Sequence, residues 1–135
     1  MDGEGRTTEM LTAGKMIGFL LTRDSQRARE FYEGTLGFQF VSDDPFALVM
    51  RAGDNTVRIA KGAEDFTPAG YTILGWEVQN IETVARWLIE RGAILEKYPF
   101  IQNQELGVWT APGGDKVAWF KDPDGNVLSI SQHNK

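Results

Sequence analysis

The chain repeats itself. A shift of 56 residues lays Ile17 on Ile73, Asp24 on Asn80, Ala28 on Val84 and Phe31 on Trp87. Each copy is too small to bury its own sheet face. Two copies must therefore pack together, either within the chain or between chains.

In the first copy, Lys15–Thr22 is strongly apolar and predicts an opening strand. Asp24 follows as a helix cap, because its carboxylate can accept from the free N–H groups of the first turn. Ala28, Phe31, Tyr32 and Leu36 continue at helical spacing, and Gly34 and Gly37 supply the stop. Strands are predicted over Phe38–Ser42, Phe46–Arg51 and Thr56–Lys61, with a turn at 53–55. Residues 62–70, with Pro68 and flanking glycines, read as a linker. The pattern then restarts with a strand over Tyr71–Gln79 and a cap at Asn80. Ile81, Val84, Ala85, Leu88 and Ile89 form the buried stripe of a helix ending at Gly92. Strands follow over Ala93–Tyr98, Leu106–Thr110, Val117–Lys121 and Val127–Gln132. Asp122–Asn126 is a tight turn in which Gly125 suits a positive φ. The modules span 15–61 and 71–132, and residues 1–14 read as a loose arm.

Composition narrows the chemistry. With 135 residues, one domain with a real core is expected. There is no cysteine, which excludes disulfides, thiol nucleophiles and iron–sulfur clusters. The single histidine, His133, rules out a site with several His ligands in one chain and reads as a surface or tail residue. A net charge of −5 argues against non-specific nucleic-acid binding. No apolar run reaches the length of a membrane span, and the N-terminus lacks a secretory pattern, so the cytoplasm is the expected compartment.

Three stretches, in order, carry a family likeness: Arg23-Asp24 leading into 28–32 (AREFY), then 36–38 (LGF), then 120–126 (FKDPDGN). On a duplicated strand–helix–strands pattern they resemble the vicinal oxygen chelate superfamily. That group includes glyoxalase I, extradiol dioxygenases, fosfomycin-resistance enzymes and bleomycin-resistance proteins. The resemblance covers about residues 15–132. It implies an α+β fold of two βαβββ modules forming a cup-shaped sheet around a small molecule. In metal-dependent relatives, four strand positions hold a divalent ion through His, Gln or Glu, and the ion acts as a Lewis acid. Carried onto this chain, those positions are Ile17, Arg58, Ile73 and Ser129. Aliphatic side chains cannot coordinate and an Arg cation repels the ion, so no metal and no cofactor are expected.

Bleomycin-resistance proteins are the functional precedent that the resemblance suggests. The expectation is a metal-independent protein of the bleomycin-resistance type that binds a planar or amphiphilic small molecule, acidic or neutral. The alternative is a glyoxalase- or dioxygenase-like enzyme with a non-standard or absent metal site. Side-chain parity puts Phe19 and Glu77 on the same face as Ile17 and Ile73, and then Trp76 packs under a helix. Trp109 and Trp119 either line the cup or fill the core. Arg58 either anchors an anionic ligand group, pairs with Glu77, or reaches solvent at a sheet edge. Glu77 is a candidate general base or an ordinary ion-pair partner. Arg23, Arg27 and Arg29 read as a solvated positive helix face, and the 98–104 loop as a segment that closes over a ligand. A homodimer is expected, because proteins of this fold often pair modules to complete the cup.

Overall fold

The computed structural model describes residues 9–62 and 64–134. Residues 1–8 of the expected arm lie outside the described residues, and 9–14 form turns closed by Ala13 N–H to Glu9 O and Gly14 N–H to Leu11 O. The first module runs β1 (Ile17–Leu21), α1 (Ser25–Arg29), a π-helical turn (Glu30–Thr35), β2 (Gln39–Asp43), β3 (Ala47–Ala52) and β4 (Asn55–Ala60). The second runs β5 (Thr72–Glu77), α2 (Ile81–Glu90), β6 (Val108–Thr110), β7 (Lys116–Lys121) and β8 (Val127–Gln132). Each module makes one four-stranded mixed sheet, ordered β1-β4-β3-β2 and β5-β8-β7-β6. The opening strand lies parallel to the closing strand in both. The repeat thus becomes two copies of one topology.

Local chemistry explains the shared start of each helix. Asp24 accepts from Arg27 N–H at 3.2 Å and Asn80 from Thr83 N–H at 3.1 Å, each satisfying a donor that the first turn leaves open. On α2 the spacing of Ile81, Ala85 and Leu88 buries one face, whereas Ile89 rotates out to 43% exposure and leaves the expected stripe. The first helix is not α-helical throughout. Leu36 N–H reaches back five residues to Phe31 O at 2.9 Å, a widened turn that apolar spacing alone does not signal.

One expected strand is absent. Along residues 93–98 the backbone pairs with the sheet at a bridge from Leu95 to Phe120, with Glu96 N–H on Trp119 O. Leu95 is buried but Ile94 is 79% exposed, so this segment tethers to β7 by one contact rather than pairing along it.

The two modules share one core. Leu20, Tyr32, Met50 and Ile59 from the first and Ile81, Leu88, Phe120 and Ile130 from the second belong to a single buried cluster. Trp76 packs into it against Phe38 and Phe120. A polar clamp fixes their relation. The β7–β8 turn carries two buried carboxylates, Asp122 and Asp124. Asp122 accepts from Tyr32 Oη at 2.7 Å, from Asn126 Nδ2 at 2.9 Å and from the backbone N–H groups of Asp124 and Asn126. Asp124 accepts from Thr22 Oγ1 at 2.6 Å and from Arg23 N–H at 2.8 Å. Asn126 Nδ2 also donates to Leu21 O. Gly125, at φ +90°, makes the turn sharp enough for both carboxylates to face the first module.

Arg23 is therefore not part of a solvated helix face. Its guanidinium donates to Asp124 O at 3.1 Å and Phe66 O at 2.7 Å and lies over the Phe66 ring.

Burial, with Asp122 beside it, pushes the Tyr32 hydroxyl far above its ordinary range. Tyr32 stays protonated in the folded state while its unfolded counterpart ionises near pH 10. Above that pH the unfolded state binds fewer protons, so stability present below it falls as pH rises, by up to about 1.4 kcal/mol per pH unit. Tyr32→Phe should cost about 1–2 kcal/mol in urea unfolding at pH 7 and flatten that alkaline decline. Asp124→Ala, which leaves the Arg23 N–H without its acceptor and removes the shortest partner of the Thr22 hydroxyl, should cost roughly 3 kcal/mol.

Candidate functional site

Parity assigns each strand residue to the core or to the opposite face. On β4, Val57 and Ile59 are buried at 4% and 1%, so Arg58 points the other way. It stands opposite Phe19 on β1 and Val49 on β3. Ile17, Phe19 and Leu21 share this face and are 47%, 68% and 41% exposed. The first module thus presents an open apolar strip with one guanidinium beside it.

Arg58 acts electrostatically on Asp44, at the start of the β2–β3 connection. Backbone N–H groups of Ala47 and Phe46 hold the Asp44 carboxyl below its ordinary range, and the Arg58 and Lys61 cations add to that. Glu77 lies on the exposed side of β5, opposite Ser131, in a groove with Val78, Gln79, Gln132 and His133.

The second module is aromatic where the first is aliphatic. Ser129 pairs with Gly75 on one side and Trp119 on the other, and Trp109 pairs with Val117. Since Val108 and Ala118 are the buried partners, Trp109 and Trp119 lie on the face away from the core. They do not stand alone. Tyr98 and Phe100 stack at 5.5 Å between centroids. Both pack edge-on against Trp119, and Phe100 also meets Trp109 edge-on at 6.1 Å.

The loop that carries these two rings is tied down. Lys97 Nζ donates to Gln104 O and Glu105 O, and Gln104 Nε2 donates to Tyr98 O and Ile101 O. Sequence reasoning marked this loop as a cover but missed that its rings complete a four-ring surface. The alternation Tyr98-Pro99-Phe100 was the available signal.

The two faces meet where β1 approaches β5. The position of a Cβ on Gly18 lies 3.6 Å from the Leu74 side chain, so only a small residue allows this approach. One groove here, of about 350 Å³, includes Ile17, Thr56, Gly75 and Trp76. A second, of about 330 Å³, includes Phe19, Leu21, Phe66 and Ile73. Gly75 keeps the floor open, since a Cβ there would stand 3.1 Å from Ser129 Oγ.

The four positions that the resemblance assigns to metal ligands in other proteins can be set against this geometry. The 56-residue shift makes Phe19 and Gly75 equivalent, and Arg58 and Ser129 are their respective neighbours in the ladder. Ile17 pairs directly with Thr56, whereas Ile73 sits in a register shift between Thr72 and Leu74 and has no direct partner. Two aliphatic chains, a guanidinium and a hydroxyl do not fit a divalent ion, which needs lone pairs and negative charge. Among the described residues, no group of three or more His, Asp or Glu side chains is placed to hold one.

His133 is not a bare tail residue: it bonds Ser131 and Asp115. Among the described residues, no helix is long and apolar enough to cross a membrane.

A family model described as Glyoxalase/Bleomycin resistance protein/Dioxygenase superfamily matches residues 14–130. No curated protein matches the chain. Solved structures do. One is a glyoxalase/bleomycin resistance protein/dioxygenase superfamily member from Sphaerobacter thermophilus DSM 20745, 25% identical, with a TM-score of 0.68 over 89% of this chain and 97% of that one. Another is TnmS3, an antibiotic binding protein from Streptomyces sp. CB03234, 22% identical, with a TM-score of 0.63 over 90% and 96%. A third, a glyoxalase/bleomycin resistance protein/dioxygenase from Alicyclobacillus acidocaldarius, is 14% identical, with a TM-score of 0.68 over 90% and 92%. The last two establish likeness of fold.

The fit of the four positions can be tested by restoring donors. A variant carrying Ile17→His, Arg58→Glu, Ile73→His and Ser129→Glu should bind one Co²⁺ per chain with a visible ligand-field band. The unaltered chain should show none. A folded fourfold variant that takes up no cobalt would show that these positions do not converge.

Proposed function

The chain belongs to the glyoxalase/bleomycin resistance protein/dioxygenase superfamily, and from that premise we propose that it is a metal-independent small-molecule-binding protein of the bleomycin-resistance type. The observation that carries this reading is the chemistry at the family's four ligand positions. Ile17, Arg58, Ile73 and Ser129 supply apolar surface, one cation and one hydroxyl, which suit an organic ligand rather than a metal ion. The antibiotic binding TnmS3 offers a precedent on the same fold.

The ligand is planar or amphiphilic and carries an acidic group. Ile17, Phe19 and Ile73 form an aliphatic and aromatic wall for its apolar body. Trp109 and Trp119, with Tyr98 and Phe100, offer ring surface, and stacking is worth about 0.5–1.5 kcal/mol beyond area burial. Arg58 meets a carboxylate or phenolate, which a guanidinium can hold through paired N–H groups. Glu77 and Ser129 complete the polar set that orients the ligand. The working unit is a homodimer, as is common among proteins of this superfamily, with the second copy completing the cup.

Two measurements test the reading. Native mass spectrometry of protein purified without chelator should show a dimer free of divalent metal, with room for an organic adduct. A stoichiometric metal ion would overturn metal independence. In fluorescence titrations read at Trp109 and Trp119, Arg58→Ala should weaken acidic aromatic ligands about 10- to 100-fold and leave their neutral analogues within about threefold. Equal losses in both classes would remove Arg58 as the anion anchor.

A further inference from the structure

At the far end of β8 three polar side chains form a chain of hydrogen bonds that the binding reading does not use. Ser131 Oγ lies 3.0 Å from His133 Nε2, and His133 Nδ1 lies 3.1 Å from Asp115 Oδ2. The other Asp115 oxygen accepts from Asn134 N–H at 2.6 Å. From this geometry we propose that Ser131, His133 and Asp115 form a nucleophilic triad that gives the protein acyl-transfer activity toward small carboxylic esters. The groove beside it shares Glu77 with the binding reading, but the proposal stands on the Ser131–His133–Asp115 geometry and does not depend on that reading.

The direction of each bond follows from the partners. Two donors, Asn134 N–H and the His133 ring, hold the Asp115 carboxyl below its ordinary range, so it is ionised and can only accept. His133 Nδ1 must then carry the hydrogen. In the neutral imidazole this leaves Nε2 as the acceptor, so the Ser131 hydroxyl donates to it. That is the tautomer a general base needs when it takes a proton from serine.

The supporting structure is specific. Ala111 N–H bonds Asp115 O at 2.7 Å and closes the β6–β7 hairpin, while Asn134 Nδ2 bonds Gly113 O at 3.0 Å. The hairpin and the C-terminal segment thus hold Asp115 and His133 against each other, and β8 fixes Ser131 two residues before His133. An open groove of about 510 Å³ is lined by Glu77, Val78, Gln79, Gln132 and His133, and Ser131 is the ladder partner of its Glu77.

The reaction balances as ester plus water giving acid plus alcohol. Ser131 Oγ attacks the carbonyl carbon as its proton passes to His133 Nε2. The C–O bond to the alcohol breaks, and His133 returns the proton to the leaving alkoxide. Water then attacks the acyl-serine, with His133 again as base, releasing the acid and restoring Ser131. Asp115 is a positioning residue that orients the ring and offsets its positive charge. The His133 and Asp115 side chains are 44% and 43% exposed, so water weakens each interaction relative to a buried triad. The expected gain is that of the general base alone, at its lower end of about 100-fold.

A fluorophosphonate, in which the serine oxygen displaces fluoride from phosphorus, reads the first step directly. The intact chain should gain one phosphonyl adduct, mapped by peptide mass to Ser131, and should hydrolyse p-nitrophenyl acetate through an acyl-serine. Ser131→Ala should take up no adduct. His133→Gln should slow labelling about 100-fold and Asp115→Asn roughly tenfold, with near-UV spectra unchanged. The proposal fails if folded protein labels no faster than the same chain in urea, if the adduct maps elsewhere, or if His133→Gln labels at the unaltered rate.

Discussion

The rest of the structure depends on how one turn reaches into the other half of the chain. Asp122 and Asp124 are buried carboxylates, and such groups persist only where donors surround them. Four donors converge on Asp122, among them the Tyr32 hydroxyl of the first module. Thr22 and Arg23, at the end of β1, supply those of Asp124. Because these bonds join the end of β1 and the first helix to the β7–β8 turn, they fix how the two sheets sit. The β1–β5 approach, with Gly18 against Leu74, and both grooves beside it follow from that placement.

The same scaffold carries unlike chemistry on its two faces. Inward residues merge into one apolar core, so the inner parity positions tolerate little but aliphatic and aromatic side chains. The outer parity positions are free to vary, and that is where this chain has Ile17, Phe19 and Arg58 in one module and Gly75, Ser129 and Trp119 in the other. A change of side chain at these outer positions alters what the face can hold without touching the core beneath it, so one fold can carry different sites.

Much of this was legible in the residues. Apolar alternation and the caps at Asp24 and Asn80 mark strands and helix starts because they act over a few residues. Parity also turns Trp76 from the cup face to the helix-covered side, and there it packs against Phe38 and Phe120. Other features were hidden. Residues 93–98 alternate like a strand, yet pairing needs a neighbour along the whole segment, and only Leu95 finds one. Apolar spacing over 28–36 fits an α-helix as well as the widened turn that forms. Arg23 resembles any solvated arginine until the Asp122–Asn126 turn and the Phe66 carbonyl arrive beside it.

The duplicated α+β architecture and the residue types at positions 17, 58, 73 and 129 are already present in the order of residues. These are properties of residue type and short-range period, which no later contact alters. Folding in three dimensions is what joins Tyr98 and Phe100 to Trp109 and Trp119 and sets His133 between Ser131 and Asp115. The clamp joins residues about a hundred positions apart, as from Thr22 to Asp124. Side-chain hydrogen bonds and ring contacts depend on distances of a few ångströms between segments remote in the chain, and local order carries no record of them.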